Sequence, residues 1–388
     1  AENTVAIAMG YGRTASGRAS NDVGKNAYPF VRIANGSMAY YTAGAITKTI
    51  DDDYTLVTTQ THHTMMGREI VKESDLKSWQ KNAKAGNPDL LVNTPDGPQK
   101  PIDIDLWATK DQPGHPKPNH HWQMGIDLNS CIGCGACVVA CQAENNVAVV
   151  GKTEIGNARE MHWIRIDRYY SSNMTKAKAE KEGTGVVQMY GDMEIPTDDN
   201  PQVLFQPVMC QHCNHAPCET VCPVAATTHS SEGLNMMAYN RCIGTRYCAN
   251  NCPYKVRRFN WFNYTENEKF PYTMYDATSR MVLNPDVSVR SREVMEKCTM
   301  CVQRIQDGKL QSKKESRRPA DGEIKTACMQ TCPTDAITFG DGNNNQSKVT
   351  GMFAEERSYW LLEELNVQPS VFYQTKIWNR EETAGAAE

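Results

Sequence analysis

Polar and apolar residues alternate along Trp163–Tyr169, where Ile164 and Ile166 sit between Trp163, Arg165 and Asp167, the two-residue period of a half-buried strand. Met124–Leu128 reads as another strand, and Ala136–Ala143 as a short helix leaving a cysteine loop. Nearer the front, Val5–Met9 and Tyr54–Thr59 are short apolar or alternating stretches punctuated by glycine, so residues 1–92 read as a β-rich unit in which Val5–Met9 is already a strand inside a domain. Gly10, Gly12 and Gly17 fit neither the dinucleotide fingerprint nor the P-loop, and read as a turn. Pro95, Pro98, Pro101, Pro113, Pro116 and Pro118 make 93–121 an extended linker. Lys176–Glu182 and Lys309–Arg318 are charge-rich and read as solvated loops. Apolar residues at helical spacing predict a helix over Glu355–Leu365, within a C-terminal segment 346–388.

Composition narrows the function classes. The chain has 388 residues, 40% of them hydrophobic and 22% charged, with a formal net charge of −4. That balance argues against nucleic acid as a partner. Val5–Met9 and Val147–Val150 are far shorter than the roughly 20 residues a membrane span needs, so a membrane role requires partner subunits. The first residue is alanine with no charged-then-apolar leader after it, which we read as the end of something longer. His62-His63 and His120-His121 are adjacent pairs; in a strand such neighbours point to opposite faces, which favours packing over a shared metal.

The chemistry lies in the fifteen cysteines. They form four runs: Cys131-x2-Cys134-x2-Cys137-x3-Cys141; Cys210-x2-Cys213-x4-Cys218-x3-Cys222-Pro223; Cys242-x2-Thr245-x2-Cys248-x3-Cys252-Pro253; and the interrupted Cys298-x2-Cys301 with Cys328-x3-Cys332-Pro333. Two intervening residues let a tight loop aim successive sulfurs at one inorganic core, while the fourth cysteine is carried to the neighbouring cluster, as in two-cluster ferredoxins. Only residues 223 to 241 separate the second and third runs, so these pair, and the first and fourth pair around them. The fold class is therefore α+β, two ferredoxin-like double-cluster units nested within 122–345.

Four ligand sets follow. Cys131, Cys134, Cys137 and Cys332 form one; Cys141, Cys298, Cys301 and Cys328 its mate. In the inner unit Cys210, Cys213, Cys218 and Cys252 form one set, leaving Cys222, Cys242 and Cys248 with Thr245 at the fourth corner. A neutral hydroxyl is a poor iron ligand beside sulfide and thiolate. The expected cofactors are three 4Fe–4S clusters and one 3Fe–4S cluster, against a cubane completed by His229 or a nearby carboxylate, which the spacing does not support. Disulfides explain neither the repeated spacings nor an odd cysteine count. Zinc often takes Cys-x2-Cys pairs, but rarely four cysteines within eleven residues or three Cys-Pro endings. No Cys-x2-Cys is followed by histidine, which disfavours covalent haem. Tyr254, Phe259, Trp261, Phe262 and Tyr264 follow the third run and would cover clusters against water. No nucleophile or proton chemistry is required: the chain reads as an electron carrier between fixed sites rather than a seat of substrate chemistry.

From Cys131 to Pro333 the pattern resembles the four-cluster iron–sulfur subunits of the molybdopterin oxidoreductase superfamily, such as those of nitrate, dimethyl sulfoxide and polysulfide reductases. Members with a replaced third-run cysteine carry a 3Fe–4S cluster there; the nitrate reductase type has tryptophan, and threonine departs from that detail. His120-His121-Trp122, Ile126-Asp127-Leu128-Asn129-Ser130-Cys131 and Glu160-Met161-His162-Trp163-Ile164-Arg165-Ile166-Asp167-Arg168-Tyr169-Tyr170 resemble the iron–sulfur subunit of alternative complex III. Residues 1–92, with Met9-Gly10-Tyr11-Gly12-Arg13 and Thr61-His62-His63-Thr64, are similar to the end of that family's molybdopterin-oxidoreductase-like region, which lacks the cofactor. The resemblance implies a quinol-oxidising bacterial complex with a polytopic quinol-binding membrane subunit and multihaem cytochrome c subunits. It also implies a peripheral position on the periplasmic face, the 3Fe–4S cluster towards the membrane, and neither molybdopterin nor haem in this chain. The other reading is the iron–sulfur subunit of a molybdenum-containing reductase.

Overall fold

The computed structural model describes residues 4–15, 21–44, 46–48, 54–60, 65, 70–104, 118–171, 202–267, 270 and 279–379. Near the front, short hairpins of β1 (Arg32–Ala34) with β2 (Ser37–Ala39) and of β4 (Val92–Thr94) with β5 (Gly97–Gln99) flank β3 (Glu73–Asp75) and helix α1 (Leu76–Lys81). Asp75 caps α1 by accepting from Ser78 N at 2.8 Å. Val5–Met9 and Tyr54–Thr59 form no strand, which corrects the reading of a β-rich unit built on them. Val5, Ile7, Tyr54 and Leu56 stay exposed, and alternation without a pairing partner does not make a strand. His62, His63 and Gly17 lie outside the described residues, as do Lys176–Glu182, Pro113 and Pro116.

The cluster-bearing body begins with β6 (Trp122–Asp127) and α2 (Ala136–Glu144), both close to the elements their patterns predict. After α3 (Gly151–Gly156), β7 (Arg165–Ser171) pairs antiparallel with β8 (Gln202–Val208) along seven residue pairs, from Arg165↔Val208 to Ser171↔Gln202. Next come α4 (Pro217–Thr220), β9 (Thr227–His229), β10 (Asn235–Met237), α5 (Tyr247–Asn250), β11 (Arg258–Phe259) and β12 (Met295–Glu296). The chain ends with α6 (Val302–Lys314), α7 (Ala327–Thr331), β13 (Ile337–Asp341), α8 (Lys348–Phe353), β14 (Ser358–Tyr359), β15 (Val371–Gln374) and β16 (Lys376–Trp378).

The main sheet has the order β13-β6-β15-β14, with β15 parallel to β6 and the other neighbours antiparallel. Every residue of β15 is buried, the continuous burial of a strand covered on both faces. The C-terminal segment therefore belongs to the sheet that carries the first cysteine run, and the sheet crosses the boundary expected at 345. Beyond it β16 pairs parallel with β3, so the front segment is stitched to the same body. Asn87 Nδ2 adds bonds to the carbonyls of Glu356 and Ser358 at 2.8 and 3.0 Å.

Two further expectations change. Lys309–Arg318 is not a loop through its first half: α6 runs to Lys314, with Ile305 and Ser312 fully buried and Gly308 against Ile324. The charge-rich reading detected only the outer face of an amphipathic helix. Glu355–Leu365 is not a helix. Tyr359 pairs with Tyr373 at the sheet edge, and only Glu363–Leu365 turns as a 3-10 helix. Strand pairing buries Tyr359, and Leu361 is buried just beyond it, while Leu365 stays exposed.

At the centre of the sheet, Gly125 lies between Thr338 and Phe372. A Cβ there would come within 2.6 Å of the Phe372 ring and 2.7 Å of Met352 Sδ. Gly125→Ala should destabilise the protein by roughly 1–3 kcal/mol, the usual cost of overpacking. Anaerobic guanidinium unfolding followed by far-UV circular dichroism checks this; an unchanged midpoint would show that the ring and thioether move aside freely.

Candidate iron–sulfur sites

Each Cys-x2-Cys loop needs a sharp reversal, and all four make it in the same place. The residue before the second position of each pair is left-handed: Gly133 at φ +67°, His212 at +45°, Gly244 at +73° and Met300 at +53°. That conformation costs little at glycine and is strained at the other two, so the loop geometry is held by its surroundings. Gly244 precedes Thr245, which therefore occupies the place taken by Cys134, Cys213 and Cys301 in the other loops. A second repeat follows each Cys-Pro: Ala225, Lys255 and Asp335, three residues after the cysteine, are all left-handed.

These loops converge on shared cavities. Cys131, Cys134, Cys137 and Cys332 line one. Cys210, Cys213, Cys218 and Cys252 line another. Cys222, Cys242, Cys248 and Thr245 line a third. Cys141, from the first run, meets Cys298, Cys301 and Cys328: burial raises its thiol most, and each of these three is close enough to add to the rise. Residues far apart in the chain are thus brought together in the four groups that the spacing sets out. His229 instead pairs with Glu219 at 3.0 Å and does not line the cavity of Thr245. His120 pairs with Asp341 at 2.6 Å and His121 with Ser370 Oγ at 3.1 Å.

The electrostatics suit a positively charged core. Burial, then neighbouring thiols, pushes Cys137 up to about 12; burial is also the main cause of the rise to about 12 at Cys328 and Cys218. Cys222 runs the other way: what burial it has raises its thiol, but N–H groups of Thr227, Val224 and Ala226 carry it below its ordinary value. Four buried thiols cannot ionise side by side unless cations share the site. Backbone N–H groups already point at sulfur: Ala226 N to Cys222 at 3.2 Å, Ala336 N to Cys332 at 3.3 Å, Met300 N to Cys298 at 3.3 Å. None of the fifteen cysteines is paired in a disulfide. Among the described residues no group of three or more His, Cys, Asp or Glu side chains closes on a single ion. A mononuclear zinc site needs its sulfurs at about 2.3 Å from one centre. Thiolates at the outer corners of a multi-iron core stand further apart, so the donors and the cavities fit iron–sulfur clusters.

Several supporting residues carried no sequence signal. Asn145 is buried with Nδ2 at 3.6 Å from Cys141 Sγ and 3.9 Å from Cys301 Sγ, spanning the first and fourth runs. Its backbone carbonyl accepts from Arg290 Nη1 at 2.7 Å, and Arg290 also pairs with the buried Glu296 at 2.9 Å. Asn235 Nδ2 lies 3.8 Å from Cys218 Sγ. Arg257 and Lys297 are buried cations beside the inner cavities. A lone amide or cation next to a cysteine run reads as surface until the fold closes over it. Of the aromatic residues after the third run, Tyr254 and Tyr264 are buried while Trp261 remains partly exposed, its ring 4.5 Å from the Arg246 guanidinium.

Comparison with known proteins agrees with this geometry. Two family descriptions, both "4Fe-4S dicluster domain", match residues 130–226 and 201–269. The iron–sulfur cluster-binding subunit of menaquinone reductase from Nitratidesulfovibrio vulgaris is 38% identical over 259 residues, 66% of this chain and 89% of that protein. A putative dimethyl sulfoxide reductase iron–sulfur subunit from Halobacterium salinarum is 32% identical, covering 64% of this chain and 76% of its own length. The matching polypeptide of polysulfide reductase from Wolinella succinogenes is 26% identical over 63% of this chain and 90% of its own length. No helix among the described residues is long and apolar enough to cross a membrane. With dicluster cysteine loops folded around shared cavities, and relatives of this kind along most of their length, the protein belongs to the iron–sulfur electron-transfer subunits of the molybdopterin oxidoreductase superfamily.

Proposed function

We propose that this chain holds three 4Fe–4S clusters and one 3Fe–4S cluster as the electron-transfer subunit of a membrane-associated, quinone-linked oxidoreductase. The observation that carries the reading is the convergence of fifteen cysteines and one threonine on four groups, each drawn from two or more distant segments. When bound, the clusters supply single-electron transfer. The chain's own residues do the rest. Cys131, Cys134, Cys137 and Cys332 hold one cluster, Cys141, Cys298, Cys301 and Cys328 the second, and Cys210, Cys213, Cys218 and Cys252 the third. Cys222, Cys242 and Cys248 would hold the three-iron cluster, and Thr245 lines the same cavity. Backbone N–H groups stabilise the sulfur charge, and buried aromatic and aliphatic side chains exclude water.

The partner enzyme has two readings. Relatives named for dimethyl sulfoxide, selenate, arsenate and polysulfide reductases favour a molybdenum-containing reductase that draws electrons from a quinone site in a membrane subunit. The alternative complex III reading, with a polytopic quinol-binding subunit and multihaem cytochromes on the periplasmic face, is favoured by the front segment. Its β3 strand and Asn87 are bonded into the cluster-bearing body, as a fused rather than separate segment would be. Relatives named for menaquinone and menaquinol are compatible with both.

Iron and acid-labile sulfide in anaerobically purified protein test the main proposal. Both should be present in near-equal amounts at about fifteen per chain; stoichiometric zinc without sulfide would overturn it. Molybdenum and haem c in the intact complex then separate the two partners: molybdenum for the reductase, haem c without molybdenum for the quinol-oxidising assembly.

A further inference from the structure

Between the two inner cavities the structure buries a cation with no carboxylate partner among the described residues. Arg257 is 6% exposed and lies just beyond the last cysteine of the third run. Its side chain lines the cavity of Cys210, Cys213, Cys218 and Cys252. On the other side, Nη2 donates to Thr227 Oγ1 at 2.7 Å and lies 3.3 Å from Met237 Sδ, and both of those residues line the cavity of Cys222, Cys242, Cys248 and Thr245. Nη1 reaches Asn235 Oδ1 at 3.4 Å, and Asn235 in turn points an amide at Cys218 Sγ. Nε finds no acceptor, and among the described residues no carboxylate stands within ion-pair distance of the guanidinium. The thiols that sense its charge come from both sites: Cys218, Cys210 and Cys252 on one side, Cys248 on the other.

An unpaired buried charge is costly, and is kept where an opposite charge faces it. Arginine stays protonated at any working pH, so its field is constant. A fixed positive charge stabilises the reduced, more negative form of a nearby cluster and so raises its potential. We propose that Arg257 is a shared electrostatic positioning residue that raises the reduction potentials of both inner clusters together, keeping the pair matched for electron exchange. The inference rests on the iron–sulfur reading above. It differs from the role of Lys297, which is also buried but donates to the carbonyls of Asn235 and Cys298 beside the four-cysteine sites.

The test is an EPR-monitored redox titration of the full chain, wild type against Arg257→Gln and Arg257→Lys, after iron and sulfide have been counted in each. The three-iron signal reports one inner site, and the signal missing from a Cys213→Ser variant identifies the other. Loss of charge in the glutamine variant should lower both inner midpoints while the Cys131 and Cys298 sites stay in place; lysine should hold both near wild type. If the wild type lacks iron and sulfide, the functional reading fails. If it is fully loaded and Arg257→Gln leaves both inner midpoints unchanged, or moves only one, the shared-charge inference fails alone. Should glutamine prevent loading, lysine decides: loaded clusters at wild-type potentials support the charge, whereas failure of both variants assigns Arg257 a hydrogen-bonding role only.

Discussion

Replacing Thr245 by cysteine is expected to abolish the spin-half EPR signal of the oxidised protein and to add about one iron per chain. The loop is already shaped for a sulfur at that position. Gly244 turns left-handed as Gly133, His212 and Met300 do before Cys134, Cys213 and Cys301, so the third run reverses as its siblings do. A Cβ on Gly244 would lie 2.7 Å from the Glu293 carbonyl, which pins the turn and leaves it little freedom to reshape around a different residue. Cys222, Cys242 and Cys248 already face the same cavity. Only the donor atom differs: a neutral hydroxyl does not compete for iron as a thiolate does. Restoring the thiolate should therefore close the cube without moving the backbone. Thr245→Ser serves as the control and should keep the signal. A three-iron signal of undiminished intensity in Thr245→Cys, or its absence from the unmodified protein, would refute the assignment.

Changing Cys141 to serine should damage the cluster held by Cys298, Cys301 and Cys328, not the one held by its sequence neighbours. The reason lies in α2. Cys131, Cys134 and Cys137 lie in the loop and first turn, while Cys141 is one turn further on, where Asn145 Nδ2 reaches both its sulfur and that of Cys301. Helix α2 packs against α7, which carries Cys328, so the first and fourth runs exchange their last ligands across one helix contact. The reciprocal variant, Cys332→Ser, should disturb the Cys131 site, because Cys332 lines that cavity. Anaerobic EPR spectra of the two variants, with iron counts, check the pair. If each serine instead removed the cluster nearest in sequence, ligation would be local and the crosswise arrangement would be wrong.

The sites were more legible than the scaffold. Cysteine spacing is a local constraint, since a two-residue gap fixes a loop whatever surrounds it, and that is why the runs can be read directly and a grouping expected from them. The glycines of the first and third runs reinforce it. By contrast, the left-handed turns at His212 and Met300 have no glycine to announce them, and nothing local marks Asn145, Asn235 or Arg257 as buried. Their environment is made by segments that arrive from elsewhere: Asn235 from a hairpin, Arg257 from the residues leading into β11, and Cys298 and Cys301 from the turn between β12 and α6. The amphipathic α6 was hidden by its charged face, and Glu355–Leu365 carried a helical spacing that the sheet edge overrode.

Read alone, the amino-acid order carries the cysteine spacing, and with it the expectation of iron–sulfur ligation in three sets of four cysteines and one of three. Tertiary structure decided the rest. It made β15, near the C-terminus, the parallel neighbour of β6, bonded the front segment through β3 to β16, and placed between two cavities a guanidinium that has no carboxylate partner among the described residues. The division has a physical cause. Ligand spacing is set by the reach of a few backbone bonds, whereas strand partners and the surroundings of a buried charge depend on contacts between residues far apart along the chain, in the case of β3 and β16 about three hundred positions.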